Sequence, residues 1–298
     1  MPTQWYILGA GAIGSLFGSA LQRAGIPTTL LLRNTDSANG PLALSIERAE
    51  TTRRLSFPTS NNSDSAIIGH LLITTKAYDV HSALSEVAHR LDANTQIVIL
   101  VNGMGFMADI VDQFPQLQFT LGTTTQGAYR LAPRHYRHAG TGLTRLGCAG
   151  RQKPPNWFAD WSRLDLTTVW EPNIEQILWQ KLCVNCVINP LSALHLCKNG
   201  ELSARPGLAR LVDQLCTEIA RVSLAAGFGE TATTIHDEVS MVIADTADNR
   251  SSMLQDVLAG RRSEIDFISG YFLDVARQFG VAAPLNTAVF EDIRKLNL

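Results

Sequence analysis

The stretch WYILGAGAIGSLFGSALQRAGIPTTLLLR, residues 5–33, contains the pattern that decides the fold. A mostly apolar run over residues 4–8 predicts a buried strand, and the amphipathic run Ser15–Ala24 predicts a helix that Gly25 ends. Thr28–Leu32 is a second apolar run and predicts another buried strand. The order strand, helix, strand is typical of a parallel sheet with crossover helices.

The turn between the first strand and the helix has the spacing GxGxxG, in Gly9, Ala10, Gly11, Ala12, Ile13 and Gly14. The first glycine permits a tight turn, the second lets a pyrophosphate approach the backbone, and the third allows helix and strand to pack closely. Free amides and the helix dipole favour a phosphate there. Although ordinary glycine-rich turns share the spacing, its place between strand and helix favours dinucleotide binding by all six residues.

Arg33, which follows the second strand, indicates which dinucleotide is preferred. Enzymes that use NAD usually place an acidic residue here for the ribose hydroxyls. A guanidinium instead pairs well with a phosphate, which a carboxylate would repel. Arg33, followed by Asn34 and Thr35, therefore favours NADPH (NADP+), with a solvated surface arginine as the alternative.

Polar residues directly follow three further apolar runs. They are Lys76 after residues 70–75, Asn102 after residues 97–101, and Thr123 after residues 119–122. Ligands of a doubly wound sheet lie beyond the carboxyl ends of its strands. We therefore expect these three side chains to reach cofactor or substrate, although loop caps and turns would also account for them.

From Ile174 onward the apolar spacing is helical. The predicted helices are residues 174–189, Arg205–Ala226, Thr233–Ala247, Ser252–Leu258 and Ser263–Gln278, after a linker near Val169–Asn173. The fold class is therefore α/β: a Rossmann-type doubly wound parallel sheet over residues 1–170, followed by an all-α second domain over residues 171–298.

The predicted helix over residues 174–189 is apolar nearly all round except for one polar stripe. At 100° per residue, Lys181, Asn185 and Asn189 lie within about 80° of one another. Each polar group buried without a partner costs about 1 to 3 kcal/mol. The three therefore either satisfy one another in a core network or line a cavity that holds a polar ligand.

Two further polar segments of the helical half have helix-start signals. Ser252 and Gln255 have capping-box spacing. Residues 263–266 could start the next helix, with the Glu264 carboxylate in its first turn. Capping alone would account for both segments.

Composition excludes several classes of partner. The 298 residues are 45% hydrophobic and 17% charged, with a formal net charge of -2, and the isoelectric point is near 6.4. This balance gives no general attraction to nucleic acid or to an anionic membrane. No uncharged apolar run reaches the ~18 residues of a membrane span, and no signal peptide precedes the first strand. We expect a cytoplasmic protein that acts on a small molecule, either as a monomer or as a homodimer.

Cysteines and histidines give no metal prediction. The five cysteines favour reduced thiols, and Cys183 and Cys186, despite their CxxC spacing, lack a second ligand pair. We interpret them as buried apolar residues. His135 and His138 have metal-like spacing but no acidic or cysteine partner close in sequence, which favours a surface strand.

Seven motifs together resemble the ketopantoate reductase (2-dehydropantoate 2-reductase) family across essentially the whole chain. They are GAGAIG (9–14), TTKAYDV (74–80), VNGMG (101–105), GTTT (122–125), WQKLCVNCVINPLSAL (179–194), KNGEL (198–202) and SSMLQDVLAGRRSEIDFISG (251–270). Many oxidoreductases share the glycine loop, whereas the lysine and asparagine helix followed by SSMLQD and EID is far more specific. Gln126-Gly127 departs from the family, because close relatives are expected to have a histidine and an alanine there.

The resemblance implies a role for each matching residue. Lys181 matches the catalytic lysine, and Glu264 matches the acid that binds the substrate. The positions that match substrate contacts are Asn102, Asn185, Asn189 and Ser252, and Asn199 lies in the matching NGEL motif. The positions that match the cofactor side are the glycine loop, Arg33 and Lys76, and Asn102 and Thr123 also reach that side. The implied reaction is NADPH-dependent reduction of ketopantoate to pantoate, with Lys181 as general acid, in pantothenate biosynthesis. A related dehydrogenase of another small 2-oxo acid and a non-catalytic NADPH sensor are the alternatives.

Overall fold

The computed structural model describes residues 3–33 and 40–296. Asn34 and Thr35, which the sequence places beside Arg33, lie outside these described residues. The chain forms two compact units. The first comprises Met1–Val101 and Phe106–Ile174, and the second comprises Asn102–Gly105 and Glu175–Leu298.

Strands alternate with short helices in the first unit. Its strands are β1 (Trp5–Leu8), β2 (Thr28–Leu31), β3 (Leu42–Arg48), β4 (Thr51–Phe57), β5 (Thr59–Ser60), β6 (His70–Ile73), β7 (Gln96–Ile99), β8 (Gln118–Thr124), β9 (Gly127–Ala132), β10 (His135–Gly140), β11 (Thr144–Gly147) and β12 (Thr168–Trp170). Its α-helices are α1 (Ala12–Arg23), α2 (Val80–Val87), α3 (Met107–Gln113) and α4 (Phe158–Trp161). The predicted linker is wrong at its start, because residues up to Trp170 belong to β12, which pairs with β11.

The larger sheet has the strand order β12-β11-β8-β7-β6-β1-β2-β5. Its neighbours pair in parallel except β8 and β11, which are antiparallel. The strand β1 lies between β2 and β6, so the chain reverses its direction of travel across the sheet there. Ligands of open α/β sheets bind at such a switch point, beyond the carboxyl ends of the strands. The predicted α/β fold with a Rossmann-type sheet is confirmed.

The smaller sheet, β4-β3-β10-β9, lies on the other side of α1. The alternating pattern of β3 buries Leu42, Leu44 and Ile46, while the residues between them are partly exposed. Because α1 contacts strands of both sheets, it is buried along most of its length. This burial fixes the helix whose first turn follows the glycine loop.

The second unit is helical. Its helices are α5 (Ile174–Leu194, which begins one residue before the unit boundary), α6 (Glu201–Ala204), α7 (Pro206–Ala225), α8 (Gly229–Asp245), α9 (Ser252–Leu258), α10 (Ser269–Gln278) and α11 (Pro284–Leu296). In the core, Trp179 of α5 stacks on Phe228 with ring centroids 4.7 Å apart, and its indole nitrogen donates to Ser223 Oγ at 2.9 Å.

The helix α5 is the centre of this core. It is long and apolar enough to cross a membrane by composition, but 67% of its apolar window is buried. We therefore interpret it as a core helix. It continues past its predicted end at residue 189 and through Pro190. Proline has no N–H, so the carbonyl one turn earlier, at Cys186, loses its usual helical donor.

Candidate active site

The first turn of α1 is built to receive an anion. Gly11 is the residue before the helix and, as a glycine, has no side chain that could cap the helix amides. No acidic residue lies in the first turn. An uncapped helix start with its positive dipole end is a favourable place for a phosphate.

The glycines of this loop differ in the space around them. A side chain at Gly14 would overlap the Gly9 carbonyl oxygen and Thr74 Oγ1, so Gly14 allows helix and strand to approach closely. A Cβ at Gly11 would meet nothing within 4 Å. The open space at Gly11 is where the backbone is expected to receive the pyrophosphate of a dinucleotide. The loop therefore fits the cofactor that the sequence predicts.

Two residues that sequence reasoning missed hold the loop in place. The Thr74 hydroxyl donates to the Gly9 carbonyl at 2.7 Å, and the Tyr136 hydroxyl donates to the Ala10 carbonyl at 2.8 Å. Thr74 could have been found, because it begins the TTK motif after β6. Tyr136 lies on the smaller sheet, 126 residues from its partner. No local pattern connects it with the loop.

The other predicted cofactor residues occupy different settings in the first unit. Arg33 follows β2, is largely exposed, and forms an ion pair with Asp79, Nη2 to Oδ2 3.3 Å. Lys76 is half-buried and precedes the short 3-10 turn Ala77–Asp79. Thr123 lies inside β8, not beyond its end as predicted. Its buried Oγ1 has no hydrogen-bond partner among the described residues.

The family departure at Gln126 has a structural explanation. Its amide nitrogen donates to the Gly142 carbonyl at 2.6 Å, and its amide oxygen accepts from the Gly142 N–H at 3.1 Å. The same oxygen lies 2.9 Å from His138 Nε2. The prediction of a surface position is wrong for His138, which is 6% exposed and whose pKa is lowered mainly by burial. Gln126 thus fixes the connection between β10 and β11.

The polar stripe of α5 lies in the second unit. Lys181 and Asn185 are half-buried, and Asn189 is buried. Burial lowers the pKa of Lys181 from 10.5 to about 8, and the nearby Glu264 carboxylate opposes this shift. The sequence left open which of the two influences is stronger, and in the structure it is desolvation. The resulting lysine can exchange a proton near neutral pH.

Glu264 is buried beside a short 3-10 turn, Ile265–Phe267. The prediction of a helix over residues 263–278 is wrong at its start, because α10 begins only at Ser269. Glu264 therefore precedes the 3-10 turn and is not in the first turn of α10. Its carboxylate acts on Lys181 instead.

The segment Asn102–Gly105 belongs to the same compact unit as Glu264. The Met104 N–H donates to the Phe267 carbonyl at 2.8 Å. Gly103 has a φ of +86°, and a Cβ there would come within 2.7 Å of the same carbonyl oxygen. The glycine therefore lets this segment lie directly on the turn after Glu264, which places Asn102 in the unit that contains Lys181.

Ser252 and its neighbour have different roles. The predicted cap position is wrong by one residue: the N-cap of α9 is Ser251, whose Oγ accepts from the Leu254 N–H at 3.1 Å. Buried Ser251 also accepts a 2.6 Å bond from Ser192 Oγ on α5. Ser252 is exposed at the first helical position. Capping does not occupy the Ser252 hydroxyl.

Asn199, which precedes α6, is buried against the C-terminal end of α8. Its side-chain nitrogen donates to Thr246 Oγ1 at 2.9 Å, and its backbone N–H donates to the Asn249 carbonyl at 3.0 Å. Its Oδ1 is buried with no partner among the described residues. Asn199 thus anchors the NGEL loop and retains one acceptor that no described group satisfies.

The two cysteines of α5 are buried core residues, and the described part of the chain shows no metal cluster. All five cysteines are free thiols. Burial raises the pKa of Cys186 to about 12 and also raises that of Cys183, which suits inert core residues. Among the described residues, no group of three or more histidine, cysteine, aspartate or glutamate side chains could hold a metal ion.

A Rossmann-type unit with an open glycine loop, joined in one chain to a helical unit with a half-buried lysine, is typical of dinucleotide-binding oxidoreductases. Comparison with known proteins narrows the class. Residues 5–151 match the family described as ketopantoate reductase PanE/ApbA, and residues 173–297 match its C-terminal part. The chain belongs to the ketopantoate reductase family.

Relatives are similar along the whole chain. The 2-dehydropantoate 2-reductase of Vibrio cholerae is 35% identical over 97% of this chain and 96% of its own length. The enzyme of the same name from Shigella flexneri is 37% identical over 97% and 93%. A ternary structure of D-mandelate dehydrogenase with NADH and anilino(oxo)acetate has a TM-score of 0.88, covering 99% of this chain and 98% of that one. Its identity of 23% supports the shared fold alone.

Proposed function

We propose that this protein reduces 2-dehydropantoate (ketopantoate) to pantoate with NADPH, as a step of pantothenate biosynthesis. Membership of the ketopantoate reductase family supports the reaction class. The names of relatives at 35% and 37% identity support the substrate. Arg33 after β2, in the place of an acidic residue, supports the choice of NADPH.

The observation that carries the proposal is Lys181, whose pKa burial lowers to about 8 on the polar stripe of a mostly apolar helix. Reduction of a keto group places negative charge on its oxygen. A lysine ammonium stabilises that charge and donates the proton that completes the alcohol. A pKa near the working pH suits a general acid, because the group is protonated and yet gives up its proton readily.

NADPH, when bound, supplies the hydride that reduces the keto carbon. The residues that would hold it are the amides of Gly9–Gly14 at the pyrophosphate, Arg33 at the 2′-phosphate, and Lys76, Asn102 and Thr123. The Thr123 hydroxyl, which no described residue hydrogen-bonds, and the open space at Gly11 both suit a polar ligand.

The substrate would be held by neutral hydrogen bonds and one carboxylate. Asn102, Asn185, Asn189, Asn199 and Ser252 offer amide or hydroxyl groups to its carboxylate and hydroxyl. Glu264 would accept from the substrate hydroxyl, and it also keeps the pKa of Lys181 from falling further. Neutral partners leave Lys181 as the positive charge that responds to the developing oxyanion.

The test is NADPH oxidation, followed by absorbance, with ketopantoate as substrate. Replacing Lys181 by Ala should lower kcat by about 10²-fold or more, because the proton donor is lost. Replacing Lys295 by Ala is the matched control, since this exposed lysine of α11 pairs with Asp292 and should leave kcat unchanged. An unimpaired Lys181→Ala enzyme would refute the assignment.

Two other functions are tested by the same experiment. A panel of small 2-oxo acids that includes ketopantoate identifies a related dehydrogenase if another acid has the highest kcat/KM. A dinucleotide sensor would show NADPH binding in a fluorescence titration, but it would not oxidise NADPH with any acid of the panel. The desolvated lysine argues against a sensor, which has no need of a proton donor.

A further inference from the structure

Arg33 and Asp79 form an ion pair at the carboxyl edge of the larger sheet. Arg33 follows β2, and Asp79 ends the 3-10 turn that follows β6. The Arg33 side chain is 62% exposed and that of Asp79 is 35% exposed, with 3.3 Å between Nη2 and Oδ2. Exposed pairs of this kind contribute little to stability, because water and salt screen the two charges. Stability therefore gives little reason for a carboxylate at this position.

Helix capping does not account for Asp79 either. The residue occupies the N-cap position of α2, where an aspartate usually accepts a hydrogen bond from a backbone amide of the first turn. Its side chain makes no such bond. The carboxylate extends instead to the guanidinium of Arg33.

The location of the pair gives the carboxylate a consequence for the ligand. The sheet edge beyond β2 is where the adenosine ribose of a dinucleotide is expected. A 2′-phosphate bound by Arg33 would carry nearly two negative charges beside the Asp79 carboxylate, and the two would repel. A 2′-hydroxyl would donate a hydrogen bond to a carboxylate, as it does in sites specific for NAD.

We infer that Asp79 is a specificity-determining residue: it opposes the preference of Arg33 for the 2′-phosphate and lets the site accept NADH as well as NADPH. The inference rests on the proposed dinucleotide site, and it assigns to one ion pair two opposite effects. The guanidinium favours the phosphorylated ribose, and its partner carboxylate favours the free ribose.

The test measures binding, so it does not depend on turnover. Dissociation constants of NADPH and NADH are measured by nucleotide fluorescence in the full chain, and those of 2′,5′-ADP and 5′-ADP by calorimetry. Asp79→Asn should tighten NADPH about threefold or more and leave NADH unchanged or weaker, which widens the ratio of the two constants. The adenosine fragments should show the same shift, because the effect belongs to the 2′ position.

Asp165→Asn is the matched control. Asp165 is another exposed carboxylate of the first unit, ion-paired with Arg23 and Arg48, and its replacement should leave the NADPH to NADH ratio unchanged. An Asp79→Asn protein whose ratio is unchanged or smaller would overturn the inference. Widened ratios in a protein that does not reduce ketopantoate would support the inference and refute the proposed reaction instead.

Discussion

At the scale of single residues, the balance around Lys181 determines what the site can do. An ordinary lysine, with a pKa of 10.5, holds its proton too firmly to be an efficient acid near neutral pH. Burial among apolar neighbours lowers the pKa of Lys181, and the Glu264 carboxylate limits this decrease. The carboxylate therefore has two uses, since it would bind the substrate hydroxyl and also keeps the lysine charged at neutral pH.

This balance predicts a pH profile. The kcat/KM for ketopantoate reduction should fall as the pH rises through about 8, because Lys181 loses the proton that it must donate. In Glu264→Gln the fall should occur at lower pH, since the opposing carboxylate no longer raises the pKa of Lys181. Initial rates at subsaturating ketopantoate between pH 6 and 10, in buffers of constant ionic strength, measure both profiles. A Glu264→Gln profile that moves to higher pH would contradict this account.

At the scale of elements, α5 and α9 are joined through two buried hydroxyls. Ser192 on α5 donates to Ser251, and Ser251 caps α9. The Ser192 hydroxyl also lies 3.0 Å from the backbone oxygen of Asn189, at the turn that Pro190 interrupts. This small network fixes the helix that contains the polar stripe against the one that begins with Ser252.

The two adjacent serines should therefore separate stability from binding. Ser251→Ala removes the cap of α9 and a partner of Ser192, and should lower the free energy of unfolding by about 1 to 2 kcal/mol. Ser252→Ala should leave stability unchanged and raise KM for ketopantoate, because its exposed hydroxyl caps nothing. Urea unfolding and steady-state kinetics measure the pair of effects. Equal losses of stability in both variants would contradict the assignment.

Local patterns account for what could be predicted at this scale. Hydrophobic patterning along the chain is enough to predict the buried strands β1 and β2 and the amphipathic helices α7 and α8. The predicted bounds of α9, Ser252–Leu258, are confirmed, but its cap is Ser251 and not Ser252, because the two adjacent serines differ by a single position in the capping signal. The apolar run 119–122 predicts that Thr123 lies beyond its strand. Antiparallel pairing with β11 extends β8 to Thr124, and that pairing depends on residues about twenty positions later.

At the scale of the whole molecule, most thiols are enclosed. Cys183, Cys186, Cys197 and Cys216 are buried, and burial raises the pKa of each. Cys148 is half-buried. Thiolate is the reactive form, so only a low-pKa, accessible cysteine reacts readily. This difference separates a structural CxxC pair from a redox pair.

The native protein should therefore react with Ellman's reagent at pH 8 at about one thiol, and with all five after unfolding in guanidinium. Cys148→Ser should remove the fast reaction. Mass spectrometry locates the modified thiols. Rapid modification of Cys183 or Cys186 in the folded chain would show that the pair is accessible and would contradict its interpretation as a structural pair.

Contacts between distant parts of the chain set the limit of prediction from sequence. The VNGMG segment was recognisable as a loop after a strand, but nothing local indicates that Met104 binds Phe267, 163 positions later by their residue numbers. The same holds for Tyr136 and the glycine loop. Residue types, spacing and the family resemblance give the candidate site residues from the sequence, whereas the contacts that hold them come from tertiary packing.

The inclusion of residues 102–105 in the helical unit has a consequence for how the two halves can be separated. The polypeptide passes from one half to the other three times, after residues 101, 105 and 174. A gene fragment that starts at codon 175 thus encodes the helical part without residues 102–105, the short insert that contacts Phe267. Exchange of C-terminal halves between homologues would likewise leave this insert mismatched. The unit to exchange is therefore the segment from residue 175 onward together with residues 102–105.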